Sequence, residues 1–226
     1  MKNEIIFDVP DVKMCGLWCA ATGDAELARA ADATLARGLG HICVAADAVG
    51  RVWAWLEKTP VRIVTRLYLR PATPRGKITV ADISDLAVKI SGAFKSGATG
   101  AQVFVRHSDI ERFAAEIAPV RDDLFFNREF SIGVDICDVD CDEWTGLLNA
   151  LGRVRADALL IVMPTDAGDK SDFVGRLYAL LDAWGGAQYG GALHFALNTP
   201  ARVEQAWRLV QKMRPELAEK IRFFVR

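Results

Sequence analysis

Charge of one sign is missing from this sequence. Its 226 residues carry 28 Lys and Arg against 29 Asp and Glu, a net charge of −1, with the basic residues scattered. Proteins that grip nucleic acid or an acidic membrane surface gather their cations, so neither partner is expected. Long apolar runs are missing too. "ALLIVMP" at 158–164 is far short of the ~20 residues that cross a bilayer. The opening "MKNEIIFDVP" has acids at Glu4 and Asp8 and no apolar signal core, which points to a soluble, cytoplasmic protein.

Cofactor and metal motifs are absent as well. There is no Gly-x-Gly-x-x-Gly after a strand, no phosphate-binding Walker loop, no His-Glu-x-x-His and no Gly-x-Ser-x-Gly. The five cysteines (15, 19, 43, 137 and 141) include no Cys-x-x-Cys pair, and their odd number argues against a disulfide framework. On a strand, Cys15 and Cys19 would lie about 13 Å apart, too far to share one metal. They read as small buried hydrophobes. No cofactor and no metal are expected.

What is present is a rhythm. Short apolar runs alternate with amphipathic stretches along the whole chain: "MCGLWCA", "HICVAAD", "VRIVTRLYLR", "AQVFVR", "FSIGVDICDV", "ALLIVMP", "ALHFALN" and "IRFFVR" read as strands. Seven helical stretches separate them. Asp24 is the expected N-cap of the first, and Thr199 with Pro200 opens the last. The stretch after Ser108 must bend or break near Pro119. Strict alternation implies parallel strands joined by right-handed crossovers, and eight such units close into a (β/α)8 barrel. No linker breaks residues 1–226, so one domain is expected. The eighth outer helix is expected to be absent, and the extra stretch "EIIFDVPD" (4–11) precedes strand one as a strand or plug. Trp53 and Trp55, two apart on one helix, do not both face the core. With the uncovered eighth segment, they suggest a homo-oligomer.

Strand faces locate the polar residues. In "VRIVTRLYLR" the side of Ile63 and Leu67 suits the helices, which sends Arg62, Arg66, Tyr68 and Arg70 inward. The same test sends in His41, Cys43, Ala45 and Asp47 on strand two, and Gln102, Phe104 and Arg106 on strand four. It sends in Ser131, Gly133, Asp135 and Cys137 on strand five, His194, Ala196 and Asn198 on strand seven, and Arg222 and Phe224 on strand eight. Buried charges need partners. Arg62 and Arg222, at strand starts, are expected to be structural. Arg66 and Arg106, late on neighbouring strands, need an anion between them: Asp135 or Asp47, or a substrate phosphate or carboxylate. Asp135 and His194 are candidate acid–base groups, Tyr68 a hydrogen-bond donor, and Asp47 and Asn198 further ligands at the strand ends that carry barrel active sites. Asp47, Asp135 and His194 together would also suit a divalent metal.

The stretches "TGDAELARAADATLARGLGHICVAAD" and "TPVRIVTRLYL" resemble the first third of deoxyribose-phosphate aldolase and other class I aldolase-like barrels. "SGATGAQVFV", "VRADALLIVMP" and "GALHFALNTPARVEQAWRLV" fall where those enzymes have strands four, six and seven. Type I dehydroquinase and ribulose-phosphate epimerase barrels share the size. The resemblance places a Schiff-base lysine at Leu160, a second lysine at Leu193 or His194, and an aspartate at Val103. None of these positions keeps the required residue, and Lys77 and Lys170 fall on upper loops. The implied activity is therefore that of a lyase or isomerase acting on a small anionic carbonyl compound or sugar phosphate without a lysine imine. The alternative is a barrel that has lost catalysis and serves as a binding or structural protein with an internal Arg–Asp network.

Overall fold

The structure, a computed structural model, describes residues 14–69, 76–163 and 172–225. These form eight strands: β1 (Cys15–Trp18), β2 (His41–Ala45), β3 (Arg62–Tyr68), β4 (Gly100–Phe104), β5 (Glu129–Asp135), β6 (Ala158–Val162), β7 (Ala192–Leu197) and β8 (Arg222–Val225). All pair in parallel, each with the next in sequence, and β8 closes on β1. The helices between them are α1 (Asp24–Ala36), α2 (Val49–Leu56), α3 (Val80–Lys95), α4 (Ile110–Ile117), α5 (Arg121–Leu124), α6 (Trp144–Arg153), α7 (Phe173–Gly186) and α8 (Pro200–Met213). α4 and α5 occupy one crossover, divided by a 3₁₀ turn at Ala118–Val120 that contains Pro119. The expected (β/α)8 barrel is what the chain forms. The stretch 4–11, Arg70 and Lys170 lie outside the described residues.

Local chemistry explains the helix starts. Thr79 caps α3 reciprocally: its Oγ1 accepts from the Asp82 N–H at 3.2 Å, and its own N–H donates to Asp82 Oδ2 at 2.7 Å. Thr199 caps α8 ahead of Pro200, as its sequence implies. The first helix corrects one expectation. Its N-cap is Gly23, and Asp24 is already inside the first turn. There the carboxylate complements the helix dipole and meets Arg51 at 2.7 Å. Trp53 and Trp55 are each 43% exposed. Among the described residues no helix is long and apolar enough to cross a membrane.

The alternation along each strand separates two cores. Ile42, Val44, Ile63, Leu67, Val103, Ile132, Ile161 and Phe195 face the helices and are at most 5% exposed. The barrel interior is a separate apolar cluster of Trp18, Cys43, Leu160, Val162, Ala196 and Phe224, with Phe104 packed on it. Two inward glycines make room for its large rings. A Cβ on Gly16 would lie 2.8 Å from the Phe224 ring, and one on Gly133 would lie 2.5 Å from Phe104. Gly133→Ala should therefore overpack the interior and cost about 1–3 kcal/mol in urea denaturation. A cost near zero would show that Phe104 has room to move.

Candidate functional site

Barrel chemistry belongs at the C-terminal strand ends, and there the interior closes on aromatic rings. Trp18 meets Phe104 edge-on at 5.7 Å and Phe224 at 6.5 Å between centroids. Tyr68, half-exposed, stacks on Phe104 at 4.8 Å. Arg66 rises above this floor, with its guanidinium carbon 5.4 Å from the Trp18 ring centroid. Nη1 donates to the Cys19 carbonyl, and to the Cys43 carbonyl at 3.3 Å. That satisfies acceptors at the ends of β1 and β2 and fixes the plane of the guanidinium. Among the described residues, Nε and Nη2 have no hydrogen-bond partner and no carboxylate pairs with Arg66. Arg66 and Tyr68 line a cavity of about 470 Å³ bounded by the ends of β2 and β3 and by Asp82, Asp85, Leu86 and Lys89 of α3.

Arg106 does not join Arg66. Its Nε donates to Asp109 Oδ2 at 2.7 Å and its Nη2 to the Gly76 carbonyl at 2.6 Å. Asp109 is 5% exposed. The anion that the sequence requires for Arg106 is thus a carboxylate three residues downstream, in the turn leading to α4, rather than Asp47 or Asp135. Asp135 stands half-buried at the end of β5, where its Oδ1 accepts from the Cys137 N–H at 2.8 Å. Burial, then the Asp135 charge, pushes the Cys137 thiol upward. Asp47 is exposed in the 3₁₀ turn after β2. Asn198 follows β7, and its buried Oδ1 has no partner among the described residues. No group of three or more His, Cys, Asp or Glu among the described residues is placed to hold a metal ion. Asp47, Asp135 and His194 therefore form no ligand set.

His194 lies deeper than the mouth. It pairs in register with Arg222, while Ala196, the next inward residue of β7, pairs with Phe224. The imidazole is 2% exposed, with its ring centroid 6.2 Å from that of Phe224. It belongs to a polar layer at the strand starts whose centre, Glu129, escapes a strand reading that begins at Phe130. Glu129 holds Arg222 Nη1 at 2.7 and 2.9 Å through its two oxygens, accepts from Ser131 Oγ at 3.4 Å, and lies 3.8 Å from His194 Nδ1. His41 shares the layer. Burial first, then the Arg222 charge, lowers its pKa to about 3, and the same two causes hold His194 well below the usual histidine range. Both rings are neutral, so the His194–Glu129 approach is not an ion pair.

Comparison with known proteins adds the fold. No family model and no curated protein matches the sequence. Solved structures do match. A protein assigned as a deoxyribose-phosphate aldolase of Toxoplasma gondii ME49 superposes with TM-score 0.71 at 10% identity, over 95% of this chain and 88% of that one. The tetrameric deoxyribose phosphate aldolase of Aeropyrum pernix gives TM-score 0.59 at 12% identity, over 81% and 76%. A phosphonopyruvate hydrolase gives TM-score 0.56 at 12% identity, over 93% and 74%. Identities this low establish a shared fold and nothing finer: the chain has the architecture of aldolase-like (β/α)8 barrels.

Proposed function

We propose, from the premise of an aldolase-like barrel, that the chain is a lyase or isomerase acting on a small anionic carbonyl or sugar-phosphate compound at the barrel mouth, without a lysine imine. The observation that carries this reading is Arg66: among the described residues its Nε and Nη2 edge has no hydrogen-bond partner beside a cavity, while Nη1 is anchored. A guanidinium held in this way is preorganised for an anion. In this reading Arg66 binds the anionic group and the Tyr68 hydroxyl donates to the carbonyl. Asp135 takes and returns the proton, and Asp47 and Asn198 are further ligands at the strand ends, outside the lining of the Arg66 cavity. Arg106 holds its own segment through Asp109 and Gly76, and His194 acts as part of the polar layer below rather than on substrate. The described lysines (58, 77, 89, 95, 212 and 220) all lie on helices, turns or loops, off the strands, which supports a mechanism without an imine.

A second reading has its own observation. The interior is filled by Leu160, Phe224 and Trp18, and Arg222 at the strand starts is paired with Glu129. A barrel of this lineage that binds without turnover would look the same. One experiment separates the two. Thermal unfolding is measured against phosphate, sugar phosphates and short 2-oxo acids, and any ligand that stabilises is incubated with the protein and followed by NMR. Binding at a hundredfold excess over Kd should add about 2.7 kcal/mol of stability, and Arg66→Ala should abolish the gain. Stabilisation with turnover supports the enzyme. Stabilisation without turnover supports the binding protein. No Arg66-dependent stabilisation by any anion removes the site from both.

A further inference from the structure

We infer that α2 is the seat of a two-fold dimer, in which the helix packs antiparallel against its own copy with Ala54 on the axis. The inference is independent of the anion site. Three features of α2 carry it.

The first is the division of the helix surface. Val49, Val52 and Leu56 are buried, in one cluster with Leu27 and Ala31 of α1 and with Ile42, Val44 and Ile63 of β2 and β3. Gly50, Ala54, Glu57 and Lys58 are exposed among the described residues. Spaced by three and four, they form one stripe on the opposite side. Glu57 belongs to it because the helical turn continues there, its N–H donating to the Trp53 carbonyl at 2.8 Å. The middle of the stripe carries no side chain larger than a methyl, so a second helix can come close.

The second is what flanks the stripe. Trp53 and Trp55 stand on either side of Ala54, about 100° away in each direction around the helix, and both are half-exposed. Indole rings are concentrated at the centres of protein interfaces. Trp53 is also braced: a Cβ on Gly97, in the turn after α3, would lie 2.1 Å from its ring. A wall already held in place loses little freedom on binding.

The third is charge, and it selects the partner. One end of the stripe carries Arg51, whose Nη1 holds Asp24 Oδ1 at 2.7 Å while the Asp24 side chain stays 76% exposed. The other end carries Glu57 and Lys58. Antiparallel packing centred on Ala54 sets residue 57 opposite the partner's Arg51, and residue 58 opposite the partner's Gly50. Glu57 then meets the partner's Arg51, and Lys58 passes over the partner's Gly50 toward the partner's Asp24. Each opposite-charge contact occurs twice, as an isologous interface requires. The antiparallel helix dipoles are complementary as well. Parallel packing would set each charge against its like.

The test is sedimentation velocity of the full chain. The stripe is short, so a dimer dissociating at about 1–100 µM is expected. Ala54→Arg and Ala54→Glu each set two like charges across the axis and should weaken association at least about a hundredfold. Both are exposed helical substitutions that leave the fold intact, which circular dichroism checks. Mixed one to one, the two variants set opposite charges across the axis and should pair again as a heterodimer. That rescue requires a residue that faces its own copy. A chain that stays monomeric at about 100 µM overturns the inference. A dimer indifferent to Ala54→Arg overturns it by placing the contact on another face. Variants that dissociate but fail to pair on mixing overturn the antiparallel axis through Ala54.

Discussion

Phe224→Ala should cost about 3–5 kcal/mol, the range for removing a fully buried phenyl ring without collapse of the site. Phe224 is 0% exposed and stands at the centre of the barrel interior. Its ring is shared by Trp18 above and by His41 and His194 below, with centroids 6.5, 6.3 and 6.2 Å away. Each neighbour is fixed to a different strand of a closed barrel, so the walls have little freedom to move into the void. For a chain of this length the midpoint of thermal unfolding should fall by about 10 °C. The glycine beneath supplies an internal control. Gly16→Ala alone drives a methyl to 2.8 Å from the Phe224 ring and should cost about 1–3 kcal/mol. In the Phe224→Ala background the same methyl enters the vacated space and should cost less, the tight contact that remains being His41 Cβ at 3.0 Å. The two substitutions are therefore expected to couple by at least about 1 kcal/mol in a double-mutant cycle. Strict additivity would mean that the ring does not sit over Gly16 and that the interior packs differently.

The same residues show what was legible in the sequence and what was not. Period-two alternation assigned the faces of β2 to β5, β7 and β8, because a parallel barrel strand must offer apolar residues to the helices. It could not assign depth. Parity says that His194 and Arg66 both point inward, but only the register shows that His194 pairs with Arg222 near the strand starts while Arg66 reaches the Cys19 carbonyl at the other end. Stagger between strands separates residues that parity places together. Glu129 was missed for a simpler reason. It shares parity with Ser131, one residue before the apolar run begins, and an inward Arg222 without an acid was the available signal. Arg106 pairs locally because its strand ends at Phe104. Beyond that point the chain turns helical, and residues three apart, Arg106 and Asp109, come together. The aromatic floor was hidden in "MCGLWCA", where every position is apolar or glycine and no alternation marks Trp18 as inward.

The polar layer leads to an acid-labile fold. Above pH 6.5 His41 is neutral both in the folded barrel and in the unfolded chain, and it contributes nothing to pH dependence. Below 6.5 the unfolded chain takes up the proton, whereas folded His41 resists it down to about pH 3. Stability then falls by about 1.36 kcal/mol per pH unit across that window. His41 alone should remove about 3 kcal/mol between pH 6.5 and pH 4, and His194, shifted the same way by burial and Arg222, adds to the loss. The geometry explains why the folded rings refuse the proton. Neither nitrogen of His41, nor Nδ1 of His194, has a hydrogen-bond partner among the described residues. Among the described residues the carboxylate facing them is Glu129, already held by Arg222, and Arg62 adds a second positive charge on the same side. A proton on either ring would be an uncompensated cation between arginines. Urea denaturation at pH 7, 5.5 and 4 is the measurement, repeated on His41→Gln/His194→Gln, whose amides do not titrate. The double variant should lose most of the acid slope between pH 6.5 and 4 even if its stability at pH 7 is lower. A slope equal to that of the parent chain would assign the acid sensitivity to carboxylates and would mean that the two histidines accept protons inside the barrel, with water reaching a layer that the packing closes off.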